Sequence, residues 1–210
     1  KQGLLAPKIK SEYERAVELN SKNEDAMWGL VQYYTQAPGF MGGSYEKAID
    51  MANELGKLNK LRGHSARVTV YNAQEKYDLV EKEYKLAAAV DPAWNLNLGY
   101  FYQQRGEFAK AFVTFEELEK AQGFKWSALY QIGRTSALSG QRFEQGVNAL
   151  ESYLQHNPEE NQPSHAGAKM RLAMIYEKNG DKSKAIGLYK EALQEEPEME
   201  LAKEGLKRLE

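Results

Sequence analysis

Residues 164–197 carry two short amphipathic patterns in direct succession, and this stretch constrains the fold more than any other. The apolar side chains of each pattern recur at helical spacing, so each set occupies one face of a helix. The first set is Leu172, Ala173 and Tyr176, and the second is Ala185, Tyr189 and Ala192. Between them, Gly180 can adopt left-handed backbone geometry and Asp181 can cap the next helix, while Pro197 ends the pattern. The stretch therefore predicts a helix–turn–helix unit.

The order of these residues, L-A-x2-Y, then A-x3-Y, then P, resembles the tetratricopeptide repeat (TPR), a helix–turn–helix unit of about 34 residues. Lys169 stands where that repeat usually has Trp. The resemblance implies an all-α fold, a right-handed α-α superhelix (TPR solenoid), with about twelve helices in this chain. Because a single repeat cannot bury its apolar face alone, neighbouring repeats are expected to form the core together.

Copies of the pattern recur along residues 1–210, which we predict to form a single solenoid. We predict an orphan second-type helix of a truncated repeat at 1–21, five repeats at 24–61, 62–92, 93–123, 125–159 and 164–197, and a capping helix at 198–210. The fourth repeat departs most from the pattern, because Ser136 replaces the consensus Tyr and Gly146 replaces the consensus Ala. In the second repeat, Arg67 stands where Leu is expected.

The first repeat contains an insertion. Tyr34 and Ala48 are fourteen residues apart, whereas the equivalent Tyr and Ala of the last repeat are nine apart. The extra residues fall in the segment Pro38–Gly43, which we expect to protrude at the turn edge, with Ser44 capping the next helix. A Pro-Gly…Gly-Gly loop of this kind resembles that of bacterial, often exported TPR proteins. With the missing initial Met, it favours a processed chain in an extracytoplasmic, periplasmic location, although the sequence does not fix the compartment.

Composition excludes several functional classes. A formal net charge of −2 gives no electrostatic argument for nucleic acid, and no apolar run reaches the roughly 18 residues of a spanning helix. Cysteine is absent, which excludes disulfides and thiolate metal sites. The three histidines fit no metal-binding pattern and are expected at surfaces or turns, and Gly42-Gly43-Ser44 lacks the rest of a P-loop. We therefore predict no enzyme activity, cofactor, metal, nucleic-acid partner or direct membrane insertion.

The TPR resemblance implies that the first helix of each pair lines a concave groove. The groove positions away from the apolar stripe are Trp28, Gln32, Arg62, Thr69, Asn72, Leu96, Tyr100, Gln103, Tyr130, Arg134, Met170 and Met174. Aromatic rings and Arg side chains are enriched at protein interfaces. The Lys and Asn of the carboxylate clamp known from chaperone-binding TPR domains are absent, because Trp28 and Gln32 occupy their places.

These patterns favour a non-enzymatic scaffold that binds an extended peptide or partner helix in the groove. The alternative is a structural or self-association module, or an accessory domain of a longer protein. An enzyme that uses the segment Pro38–Ser44 is the third hypothesis, and no catalytic arrangement supports it. The sequence leaves open the partner, the pathway, the oligomeric state and the role of the insertion.

Overall fold

The computed structural model describes residues 6–210, with side chains from residue 8 onward. This part of the chain contains twelve α-helices and no strand, which confirms the predicted all-α fold. It also contains no helix long and apolar enough to cross a membrane. The chain forms two compact units, the first ending at Trp94 and the second beginning at Asn95.

The first unit contains five helices, which pack in sequence order. They are α1 (Ala6–Leu19), α2 (Glu24–Gln36), α3 (Tyr45–Leu58), α4 (Lys60–Ala73) and α5 (Tyr77–Val90). The first residues of the orphan helix predicted at 1–21 lie outside the described residues. Helix α4 begins at Lys60, because the side chain of Asn59 accepts a hydrogen bond from the backbone N–H of Arg62 and caps the helix there.

The second unit contains seven helices. They are α6 (Trp94–Gln104, whose first residue closes the first unit), α7 (Phe108–Glu119), α8 (Lys125–Ser139), α9 (Phe143–Leu154), α10 (His165–Lys178), α11 (Lys182–Glu195) and α12 (Glu200–Leu209). The turn between α10 and α11 forms as the sequence predicts. Gly180 has a φ of 88°, and the Asp181 side chain accepts a hydrogen bond of 3.1 Å from the backbone N–H of Lys184.

Small residues bring the paired helices close together. The consensus alanines Ala48, Ala111 and Ala185 are completely buried. A Cβ at Gly99 would lie 2.2 Å from the ring of Phe115, so only glycine allows α6 to approach α7 this closely. The core of each unit is therefore built by the interlocking of small and large side chains that the repeat pattern predicts.

Ser136 and Gly146, the two departures in the fourth repeat, contact each other. A Cβ at Gly146 would lie only 2.3 Å from Cβ of Ser136. The Ser136 hydroxyl donates a 2.8 Å hydrogen bond to the carbonyl oxygen of Gln141, in the turn before α9. A small cavity of about 30 Å³, lined by Ser136 and Phe143, lies beside the shortened side chain.

The insertion forms an ordered turn. Residues Gly39–Met41 make one turn of 3₁₀ helix, which Gly42 ends with a φ of 92°. The Tyr33 hydroxyl donates a 2.7 Å hydrogen bond to the carbonyl oxygen of Met41 and fastens the turn to α2. Phe40 is 91% exposed. The segment is thus held in place while its aromatic side chain faces solvent.

The carboxylate of Glu177 joins three helices at the end of the second unit. Glu177 lies on α10 and accepts hydrogen bonds from the Tyr189 hydroxyl of α11, at 2.6 Å, and from the Arg208 guanidinium of α12, at 3.0 and 3.1 Å. The hydrogen bond from Arg208 is the main cause that lowers the pKa of Glu177; burial opposes this shift, and the Tyr189 hydrogen bond adds to it.

Candidate functional site

The groove residues predicted in the first unit lie on α2 and α4. Trp28 is half-buried and packs against the core of this unit, whereas Gln32 and Asn72 are exposed. The Thr69 hydroxyl donates to the carbonyl oxygen of Ser65, one turn earlier on the same helix.

Arg62, the positively charged groove residue predicted in the first unit, is paired within the protein. Its guanidinium donates to Glu24 at 3.2 Å and to Asp25 at 2.8 Å. The hydrogen bond to Asp25 is the main cause that raises the pKa of Arg62. The charge is therefore already matched by two carboxylates of α2.

A second ionic cluster in the first unit replaces an apolar contact. Arg67, at the consensus Leu position, donates through Nε to the carboxylate of Glu83 at 2.9 Å. Nδ1 of His64 lies 2.7 Å from the same carboxylate, and Glu83 is only 8% exposed. The expectation that His64 is a surface or turn residue is wrong, because this ring lies inside the helix interface. Arg67 was the sequence signal for the cluster, and its carboxylate partner could not be read from the pattern.

The second unit contains a cleft of about 450 Å³ beside α6 and α8. Three of the predicted groove residues, Tyr100, Tyr130 and Arg134, line this cleft. The cleft is completed by Gln104, Gln131 and Pro163. Sequence reasoning missed these three residues, because Gln131 borders the apolar stripe of α8 and Pro163 belongs to the connection before α10. None of the lining residues is acidic.

Hydrogen bonds hold the polar side chains of the cleft in fixed positions. Arg134 donates to Oε1 of Gln103, whose amide nitrogen donates to the Thr135 hydroxyl at 2.8 Å. Nε2 of Gln131 donates to the Tyr100 hydroxyl at 2.9 Å. The other polar atom of this amide, Oε1 of Gln131, is buried and has no hydrogen-bond partner, and the residue is only 5% exposed. A buried acceptor of this kind is rare unless a ligand or water satisfies it.

The cleft is positively charged. The Arg134 guanidinium lies 5.6 Å from the centroid of the Tyr100 ring, at cation–π distance. Burial lowers the pKa of Arg134, and the positive charge of Arg171 on α10 lowers it further. Burial raises the pKa of Tyr100 further above its ordinary value, so the hydroxyl stays a neutral hydrogen-bonding group beside Arg134.

The remaining predicted residues of the second unit are less accessible. Gln103, Tyr130 and Met170 are buried, so Gln103 acts by holding Arg134 rather than by exposing its own surface. Leu96 and Met174 are half-buried, and the sulfur of Met174 accepts a hydrogen bond from Nη1 of Arg171. The part that all these residues take in binding stays a prediction.

The other two histidines support turns of the second unit. His156 stacks on Trp126 with ring centroids 4.4 Å apart, and Nε2 of His165 lies 2.7 Å from the carbonyl oxygen of His156. Within residues 6–210, no group of three or more His, Cys, Asp or Glu side chains could hold a metal ion.

Comparison with known proteins identifies the fold. Residues 135–200 match the model of the tetratricopeptide repeat family. Among solved structures, PilW, a widely conserved type IV pilus biogenesis factor, matches with a TM-score of 0.62 at 17% identity, over 98% of this chain and 92% of its own. The fold is the tetratricopeptide-repeat fold.

Two further TPR proteins have similar structures. YrrB, described as a TPR protein with an unusual peptide-binding site, matches with a TM-score of 0.60 at 15% identity, over 93% of this chain and 97% of its own. A TPR protein from Parabacteroides merdae ATCC 43184 matches with a TM-score of 0.53 at 18% identity, over 99% and 79% of the respective chains. A search of curated proteins gave no significant match.

The two units use the helices that carry the predicted groove residues differently. In the first unit, the consensus Leu position of one TPR copy holds Arg67 in an ionic cluster. In the second unit, Arg134 lies beside a cleft and bonds an amide rather than a carboxylate. The second unit therefore holds the better candidate for a binding site.

Proposed function

We propose that this chain is a non-enzymatic scaffold for protein–protein interaction, and that the cleft of the second unit binds an extended peptide or partner helix. The TPR fold supports the scaffold function, since proteins with this fold typically act by holding other proteins. The peptide-binding site for which YrrB is described supports a peptide as the partner. The composition of the cleft, with rings, amides and one Arg, supports its role as the contact surface.

The observation that carries this proposal is that two polar groups of the cleft, the Gln131 side-chain oxygen and the Arg134 guanidinium, lack a partner that a ligand could supply. Oε1 of Gln131 is a buried acceptor without a donor, and Arg134 has no carboxylate partner among the described residues. A polar group left in this state costs about 1–3 kcal/mol relative to a satisfied one. A bound peptide would supply an N–H donor and an acceptor, and its binding would recover that free energy.

The test is to select peptides from a displayed random library on the full chain and to measure their affinities by fluorescence anisotropy. We expect Tyr100→Ala and Arg134→Ala each to weaken binding by about 1–3 kcal/mol, while helicity by circular dichroism is unchanged. Phe40→Ala and Arg15→Ala are the matched controls, because Phe40 is exposed on the insertion and Arg15 is exposed on α1. If no selected peptide depends on Tyr100 or Arg134, the proposal is wrong.

One observation favours self-association as a second function. Ile9 and Tyr13, on α1, are 48% and 36% exposed and line a shallow cavity of about 380 Å³. Apolar side chains exposed on one helix face favour contact with another surface. If this face joins two chains, sedimentation equilibrium will show a dimer that Ile9→Ser dissociates. A monomer at high protein concentration would contradict it.

The insertion does not support an enzyme. The hydroxyl oxygen of Ser44, the nearest candidate nucleophile, accepts a 3.3 Å hydrogen bond from the backbone N–H of Lys47 and caps α3. No histidine is among its hydrogen-bond partners. We therefore assign the segment Pro38–Ser44 a structural role and propose no catalytic residue.

A further inference from the structure

The arginines of this chain fall into two classes. The sequence contains eight arginines, all of them in the described part of the chain. Six of them form an ion pair with a carboxylate, namely Arg15, Arg62, Arg67, Arg105, Arg142 and Arg208. The other two, Arg134 and Arg171, have no such pair among the described residues. They lie on α8 and α10, which pack side by side. One turn before them, the Tyr130 hydroxyl lies 3.5 Å from the place that a Cβ of Gly167 would occupy. The charge of Arg171 also lowers the pKa of Arg134.

Two neighbouring, partly buried cations without an anion are unfavourable in the free protein. Each repels the other, and burial removes the water that would screen them. Nε of Arg171 is also buried and has no hydrogen-bond partner. A carboxylate placed between the two guanidiniums would satisfy both charges and this N–H, because Arg presents a planar fork that matches carboxylate geometry.

We propose that the cleft recognises an Asp or Glu side chain within an extended segment of the partner protein. Its carboxylate binds between Arg134 and Arg171, and its backbone N–H donates to Oε1 of Gln131. This inference rests on the proposed function, since it names the chemistry of the peptide that the same cleft would bind.

The experiment uses the full chain and two peptide libraries, one displayed at an internal position and one with a free C-terminus. We expect the internal library to enrich Asp or Glu at one position. For a selected peptide, replacement of that residue by Gln or Asn should weaken binding about 10- to 100-fold. The same replacement should have a clearly smaller effect on the Arg171→Met variant, whereas the Arg15→Met control should keep the full effect.

The outcomes separate the inference from the proposed function. If no peptide from either library binds in a way that depends on Tyr100, both the proposed function and the acidic-residue preference are wrong. Peptides that depend on Tyr100 but bind equally well with Gln in place of Glu would overturn the acidic side chain alone. Enrichment only in the library with a free C-terminus would also overturn it, in favour of a terminal carboxylate. Because Arg171→Met could disturb folding, Arg171→Lys provides a second variant that keeps the charge and should retain part of the preference.

Discussion

Helix α4 of the first unit and helices α8 and α10 of the second unit all carry arginines, but the two units use them in opposite ways. In the first unit, Arg67 donates to a buried carboxylate and Arg62 to two carboxylates of α2. In the second unit, Arg134 donates to an amide and Arg171 to a sulfur. The first pair contributes to the structure of its unit, whereas the second pair retains unmatched positive charge.

The difference shows that residue type alone does not identify a binding residue. A buried ion pair is costly to break, because removing one partner leaves the other charged and desolvated. A buried charge that has no counter-ion gives the folded protein little stability, so its place in the structure is better explained by what it binds. The contrast between Arg67 and Arg171 can be measured directly, since the same substitution is possible at both positions.

The largest effect is expected for Arg67→Met. This change leaves the Glu83 carboxylate buried with only His64 beside it, and it should lower the free energy of unfolding by about 3 kcal/mol or more. Urea denaturation of the full chain, followed by circular dichroism, measures the loss. A cost below about 1 kcal/mol would mean that the cluster contributes no more than a surface pair.

Acid should produce the next effect, at the ion pair between Arg208 and Glu177 in the second unit. Because Arg208 holds the pKa of Glu177 below its ordinary value, this carboxylate contributes stability that is complete above the ordinary carboxyl pKa. That contribution is lost as the pH falls through the lowered pKa of the folded state. Stability measured between pH 7 and pH 3 should therefore fall less for Glu177→Gln than for the unmodified protein, and equal slopes would contradict this assignment.

A smaller effect is expected for Arg62→Ala. The Arg62 side chain is about one-third exposed and Asp25 is mostly exposed, so solvent screens the pair. The loss should be below about 1 kcal/mol and should diminish at high salt. A loss as large as that of Arg67→Met would show that exposure is a poor guide to the strength of these pairs.

The smallest effect on stability is expected for Arg171→Met. The substitution removes an unpaired charge and a buried N–H without a partner, so the free energy of unfolding should change by less than about 0.5 kcal/mol or should rise. Urea denaturation of Arg171→Met and Arg67→Met under the same conditions compares their free energies of unfolding. A large loss would indicate that Arg171 supports the structure, and it would remove the argument for an anion at the cleft.

Local features of the fold could be predicted from the sequence because they depend on neighbouring residues. The helix–turn–helix unit at residues 164–197 follows from apolar spacing, and its turn follows from Gly180 and Asp181. The ordered 3₁₀ turn of the insertion could not be predicted, because it depends on a hydrogen bond between Tyr33 and Met41.

The candidate site was only partly predictable for a related reason. Tyr100 and Arg134 were predicted from their groove positions in the repeat, and both line the cleft of the second unit. Gln131 was missed because its burial depends on how α6 packs beside α8, which no spacing within α8 reveals. The absence of a carboxylate near Arg134 depends likewise on residues far away in the chain.

The contact between Ser136 and Gly146 has a consequence for how this sequence can change. Restoring the consensus Ala at position 146 alone would place its Cβ 2.3 Å from Cβ of Ser136, so the helices would have to separate. Restoring Tyr at position 136 alone would bring a ring into a cavity of only about 30 Å³. Because Tyr also carries a Cβ, restoring both consensus residues together would leave the clash at position 146 in place. The close approach of α8 and α9 therefore depends on the absence of a side chain at position 146, and a return to the consensus pair would require the two helices to separate.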